Sequence, residues 1–250
     1  MRTSIRALAA ATLLGLGFAA SPAFAEDEAA APDGFSFSGY VQGVTDYRYR
    51  GVSLTAGDPA IQGSINVNHA SGFYAGAWAS SLEDSPVFGS AELDVYAGWT
   101  GKVSPDLTVD AGLLMYVYPN GHFGDANYFE PYASIATDVG PVNAKLGVAY
   151  AFDGQDALGN QDNLYVFTDL AAAIPNTPVT LNGHVGYTDG ALSFDNNDSS
   201  FDWSVGASAT VLNNVTVGIS YIGVEDGGVP TGFKKNFTDD TFVASIKLAL

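Results

Sequence analysis

Charges two residues apart recur along this chain: Asp46, Arg48 and Arg50, then Glu92 and Asp94. In an extended strand such residues point to the same side, so each set gathers its charges on one face. Asp110, Glu130, Lys145, Asp169, His184, Asp202 and Lys247 complete a set of candidates for the lining of an enclosed space. Carboxylates outnumber bases in this set. Confined carboxylates favour cations, and interspersed Arg and Lys either set up a transverse field or close a path by salt bridges.

Other chemistries find less support. A serine hydrolase needs His within reach of its nucleophile. The three histidines are His69, His122 and His184, and none stands beside a recognisable nucleophile motif. His69 reads as a turn residue, His122 as a loop residue, and His184 as facing inward beside Asn182, on the wrong side for a lipid-facing triad. Asp195-Asn-Asn-Asp198 offers oxygen ligands for calcium but lacks the spacing and closing Glu of an EF-hand. The sequence holds no zinc cluster, phosphate-binding glycine loop or cofactor motif. Neither an enzymatic activity nor a metal or cofactor is therefore expected.

The elements that carry these charges alternate strictly. Phe35, Phe37, Gly39, Val41 and Gly43 share one face, and Ser36, Ser38, Gln42, Asp46 and Arg48 share the other, with Tyr40 and Val44 as exceptions. Leu93, Val95, Ala97 and Trp99 oppose Glu92 and Asp94, and Val142, Ala144, Leu146 and Val148 oppose Asn143 and Lys145. Period-two alternation marks strands between two different media. Twelve segments are predicted: 36–49, 60–69, 73–81, 90–100, 106–118, 126–137, 141–152, 162–173, 178–188, 200–211, 215–224 and 239–249.

Their connections alternate between short and long. Short ones include His69 to Gly72 and Leu212 to Asn214; long ones include Gly51 to Pro59, Leu82 to Gly89 and Glu225 to Asp239. An even number of ten-residue strands, short turns at one end and long loops at the other fit a transmembrane antiparallel up-and-down β-barrel with periplasmic turns and extracellular loops. A soluble two-sheet sandwich also alternates, but with shorter strands. Tyr47, Tyr49, Trp99, Tyr116, Tyr118, Tyr150, Tyr187 and Tyr221 fall near strand ends and read as interfacial girdle residues. Sugar stacking is the alternative for Tyr116 and Tyr118.

Residues 1–25 carry Arg2 and Arg6, the apolar run Ala7 to Ala20 and the small-residue site Ala23-Phe24-Ala25, the pattern of a cleaved secretory signal. Residues 26–34 read as a flexible periplasmic leader and 35–250 as the barrel. Setting Arg2 and Arg6 aside leaves seven basic residues against 27 acidic ones, a balance that repels nucleic acid. With 47% hydrophobic and only 14% charged residues, the chain is too apolar for acidic disorder. It has no cysteine, so no disulfide framework holds it together.

Thr45-Asp-Tyr-Arg-Tyr-Arg-Gly-Val-Ser53, followed by Asp58-Pro-Ala-Ile-Gln-Gly63, resembles the opening of the TorF-type porins, once grouped as a conserved hypothetical bacterial outer-membrane family. The likeness continues through Gly72-Phe-Tyr-Ala-Gly-Ala-Trp-Ala-Ser80 and Glu92-Leu-Asp-Val-Tyr-Ala-Gly-Trp99. It implies an outer-membrane location and a porin role, but no substrate and no catalytic residue. The last strand departs from the usual outer-membrane pattern by ending on Leu250 rather than an aromatic residue. The expected partners are outer-membrane lipid and small hydrophilic solutes, chiefly cations. The alternatives are a closed barrel with a structural or loop-mediated binding role and, third, a lipid-modifying enzyme.

Overall fold

A computed structural model describes residues 34–121, 126–193, 198–225 and 237–250. Twelve antiparallel strands form a closed barrel: β1 (Phe35–Val44), β4 (Ala60–His69), β5 (Phe73–Ser85), β6 (Gly89–Ser104), β7 (Leu107–Val117), β8 (Tyr128–Val139), β9 (Val142–Ala151), β10 (Asn163–Ala173), β11 (Val179–Gly190), β12 (Ser199–Leu212), β13 (Val215–Val224) and β14 (Thr241–Ala249). β2 (Arg48–Tyr49) and β3 (Val52–Ser53) form a separate two-stranded hairpin. Sequence neighbours pair around the wall, and β1 closes it against β14 in the register Tyr40 to Ala249 through Val44 to Ser245. Closure leaves no strand edge, so the backbone polar groups of the wall pair between neighbouring strands without water, apart from register shifts at Ser81/Ser85, Lys102/Ser104 and Thr210/Leu212.

Alternation decides what each face meets. Phe37, Ile61, Ile65, Val95, Leu113, Leu146, Val185, Val205, Ile219 and Ile246 all stand exposed on the outside. So large an apolar belt is unfavourable in water and favourable against hydrocarbon. The opposite faces carry Gln62, Ser64, Ser80, Glu92, Asp94, Glu130 and Asp202, all buried inside. Tyr40 and Val44 break the expected pattern because they too face inward: the Lys247 ammonium sits 5.4 Å from the Tyr40 ring, and Val44 joins an internal apolar cluster.

Several strand glycines have a packing reason. A side chain at Gly98 would strike the Tyr74 ring and the Ala111 carbonyl, one at Gly112 the Tyr132 ring, and one at Gly147 the Phe167 ring. Inward aromatic rings thus lie against glycines of adjacent strands, filling the wall's inner surface without spanning the barrel.

The first predicted strand is too long. It ends at Val44, and the alternation of Asp46, Arg48 and Arg50 with Tyr47 and Tyr49 belongs to a segment that turns into the barrel. Arg50 (φ 47°) and Gly51 (φ 80°) form the two-residue turn between β2 and β3, with Tyr49 paired to Val52. Two successive positive φ angles suit a tight hairpin. A side chain at Gly51 would also meet the Gly223 carbonyl and the Val224 side chain. The predicted long loop 82–89 is corrected as well: β5 runs on to Ser85 and β6 resumes at Gly89, so Glu83 and Asp84 lie in a strand. Pro131, inside β8, pairs with Leu113 of β7. The signal segment, His122 and Asp195 to Asn197 lie outside the described residues.

Candidate functional site

The inserted segment divides the lumen into two zones. At the loop end, the residues between Asp46 and Thr55 pack among the barrel's inward side chains and are mostly buried. Tyr47 and Tyr49 join Trp78, Leu114, Tyr116, Tyr128, Leu158 and Ile222 in one apolar cluster inside the barrel. At the turn end no such insertion exists among the described residues, and Ser36, Ser38, Asn66, Asn68, Asp110, Ser134, Lys145, Asn182, His184 and Lys247 remain half-buried.

Polar contacts fix the segment in place. Asp46 accepts hydrogen bonds from Arg48 Nε at 2.6 Å, Ser53 Oγ at 2.5 Å and Thr55 Oγ1 at 2.9 Å. Arg48 donates to the Gly51 carbonyl at 3.0 Å and to the Asp239 carbonyl at 2.9 Å. Arg50 reaches the opposite wall, donating to both oxygens of Glu130 at 2.9 and 2.8 Å. Its guanidinium also lies 4.2 Å from the centre of the Tyr165 ring. The Tyr49 hydroxyl meets those of Tyr116 at 3.2 Å and Tyr128 at 3.3 Å, and Tyr116 donates to Glu130 at 3.0 Å. One Arg50 nitrogen, Nη2, thus serves both carboxylate oxygens, and a charge-assisted contact in so buried a place ties the segment to β8.

All twelve predicted residues face the interior, but in different roles. Asp46, Arg48 and Arg50 belong to the inserted segment rather than to the wall, because the chain leaves β1 before reaching them. Glu92, Asp94, Glu130 and Asp202 are wall residues of the buried zone. Asp110, Lys145, Asp169, His184 and Lys247 line the half-buried zone. There Tyr74 donates to Asp110 at 2.9 Å, and the Lys145 ammonium lies 5.4 Å from the Phe167 ring. His184 Nδ1 is 2.6 Å from Asp169, and its Nε2 is 2.9 Å from both Asp202 and the Tyr165 hydroxyl. These partners supply carboxylates and a phenol but no serine, threonine or cysteine.

The aromatic expectations separate similarly. Tyr187 pairs with Phe201, Tyr221 with Phe242 and Tyr150 with Phe152 at the loop end of the outer wall, and Trp99 donates to the Ser71 carbonyl at the turn end. Tyr47, Tyr49 and Tyr116 do not form a girdle: all three are buried in the lumen. Tyr118 packs against the same cluster. With Tyr116 stacked on Tyr128 at 4.4 Å, its ring face is occupied and offers no platform to a sugar. Sequence reasoning missed Ser53, Thr55 and Tyr128, whose contacts appear only once the segment folds inward; the signal available was Gly51 after Arg50, followed by resumed alternation.

A family described as a bacterial protein of unknown function, Gcw_chp, matches residues 27–249. The chain belongs to the Gcw_chp family. No curated protein matches its sequence. Among solved structures, this Gcw_chp barrel is similar to the NanC porin, with a TM-score of 0.61 at 14% identity over 85% of this chain and 100% of that one. It is also similar to the KdgM porin, with a TM-score of 0.56 at 11% identity over 86% and 98% of the two chains. A second KdgM structure, in complex with disordered oligogalacturonate, gives a TM-score of 0.53 at 10% identity over 86% and 96%. The shared property is the porin-type fold.

Proposed function

We propose that the chain is an outer-membrane porin, exported by the signal in residues 1–25, that passes small hydrophilic solutes and prefers cations. The carrying observation is the contrast between an exposed apolar exterior and a polar, acid-rich interior in one closed barrel. The porin-type fold and the TorF-like motifs from Thr45 to Gly63 support the same reading. Within it, the segment between Asp46 and Thr55 is the constriction, since its side chains reach across to Tyr116 of β7 and Glu130 of β8.

The solute preference follows from charge. KdgM is seen with an oligogalacturonate, a chain of acidic sugars. Here seven of the twelve inward candidates are carboxylates, and in a confined space they repel anions and concentrate cations. Solute uptake into proteoliposomes tests this: small amines and neutral sugars should enter faster than acidic sugars of equal size. Faster entry of the acidic sugars would reverse the assignment.

The inserted segment also favours a second reading, a closed barrel whose outer loops bind a partner, because Arg50 and Glu130 are both buried at the constriction. Proteoliposomes impermeable to every small solute would support that reading instead.

A further inference from the structure

The buried charges at the loop end fall into two groups. Asp46 is occupied by Arg48, Ser53 and Thr55, and Glu130 by Arg50 and Tyr116. Glu92 and Asp94 have no such arrangement. They stand two residues apart on β6, so both project into the lumen, and each is only 1% exposed. Neither oxygen of Glu92, nor Oδ1 of Asp94, has a hydrogen-bond partner.

Their surroundings are suited to positive charge. The Tyr47 and Tyr118 side chains lie against Glu92. Trp78 and Tyr116 flank Asp94 on the two neighbouring strands, and the Trp78 ring is 5.4 Å from that of Tyr47. Aromatic faces and phenol oxygens attract cations. Two adjacent carboxylates removed from water without a counter-charge are strongly unfavourable, so this place requires either protons or a bound cation.

Ligand number decides the class of cation. Among the described residues no three His, Asp or Glu side chains converge as a metal-binding group, whereas zinc and calcium sites draw on more protein ligands. Two carboxylates with phenol oxygens suit a monovalent ion that keeps part of its water.

We infer that Glu92 and Asp94 form a binding station for one monovalent cation beside the inserted segment, reached from the half-buried turn end of the lumen. This rests on the lumen being a cation route, and it adds a defined stop on that route. A station in a pathway must bind firmly enough to be entered and weakly enough to be left.

The test is infrared difference spectroscopy of the refolded full chain, comparing potassium chloride with N-methylglucamine chloride at constant ionic strength. A station gives a potassium-specific carboxylate signal that saturates, and Glu92→Gln with Asp94→Asn abolishes it. A wild-type spectrum indifferent to potassium, or an unchanged signal in the double variant, overturns the inference. Should the double variant fail to fold, Asp94→Asn alone must raise the half-saturating concentration, and no rise counts against the station. Failure of the channel reading is distinguishable: a saturating signal in a barrel that passes no current removes the channel and keeps the station, while current without the signal does the reverse.

Discussion

Arg50 and Glu130, 80 residues apart in the chain, meet inside the barrel through hydrogen bonds of 2.9 and 2.8 Å and tie the inserted segment to β8. Neither partner reaches water, with side-chain exposures of 3% and 0%. Arg50→Ala should therefore leave a stranded carboxylate and destabilise the barrel by about 3–5 kcal/mol. Replacing both residues with apolar groups of similar volume should cost less than Arg50→Ala alone. Urea unfolding in detergent micelles checks the order; equal losses would show that Glu130 does not depend on Arg50.

Two strand glycines should respond oppositely to added bulk. A Cβ at Gly98 would lie 2.4 Å from the Tyr74 hydroxyl and 2.6 Å from the Ala111 carbonyl, whereas one at Gly183 meets nothing within 4 Å. Gly98→Ala should lower stability by about 1–3 kcal/mol through overpacking. Gly183→Ala should be neutral or stabilise by about 0.5 kcal/mol, since glycine in a strand carries an entropic cost. Thermal unfolding of the two variants side by side would expose any error in the packing of Tyr74.

Neighbouring residues of β8 separate exterior from lumen. Ile135 is exposed on the apolar belt and Ser134 faces inward, half-buried. Arginine at position 135 should cost about 2–4 kcal/mol of insertion free energy if this belt lies near the bilayer midplane. Ser134→Arg should cost much less. Folding titrations into lipid vesicles measure both, and similar losses would contradict the assignment of faces.

Charge in the half-buried zone should tune selectivity in both directions. Asp110→Asn removes an inward carboxylate and should reduce cation preference, while Lys145→Gln removes an inward base and should increase it. Both shifts should shrink as ionic strength rises, because salt screens exposed charge over about 10 Å at 0.1 M. Reversal potentials in a salt gradient read the effect, and shifts of one sign for both variants would contradict it.

Most of the wall was legible because alternation reports a strand held between two media, and ten-residue segments with short and long connections admit few closed arrangements. β8 illustrates the strength of that signal: it forms despite Pro131, with Phe129 and Ile135 outside and Glu130 and Ser134 inside. The same signal failed at Asp46 to Arg50. Alternation there separates Tyr47 and Tyr49 from Asp46 and Arg48, but it cannot tell a continued wall from a hairpin folded into the lumen. Arg50-Gly51 marked the turn; its direction depended on partners at Tyr116, Tyr128 and Glu130, far along the chain. Tyr47 and Tyr49 were misplaced for the same reason. The inward orientation of the wall charges was readable from parity alone, while the pairing of Arg50 with Glu130 and the lack of partners at Glu92 required three dimensions.

The central claim is that this barrel conducts through an acidic lumen narrowed by the segment between Asp46 and Thr55. Planar-bilayer recording of the refolded chain from Glu26 to Leu250, under a salt gradient, tests it most directly. The account predicts discrete conductance steps with a reversal potential on the cation-selective side. Insertion into the bilayer without conductance, or steps that favour anions, would contradict it.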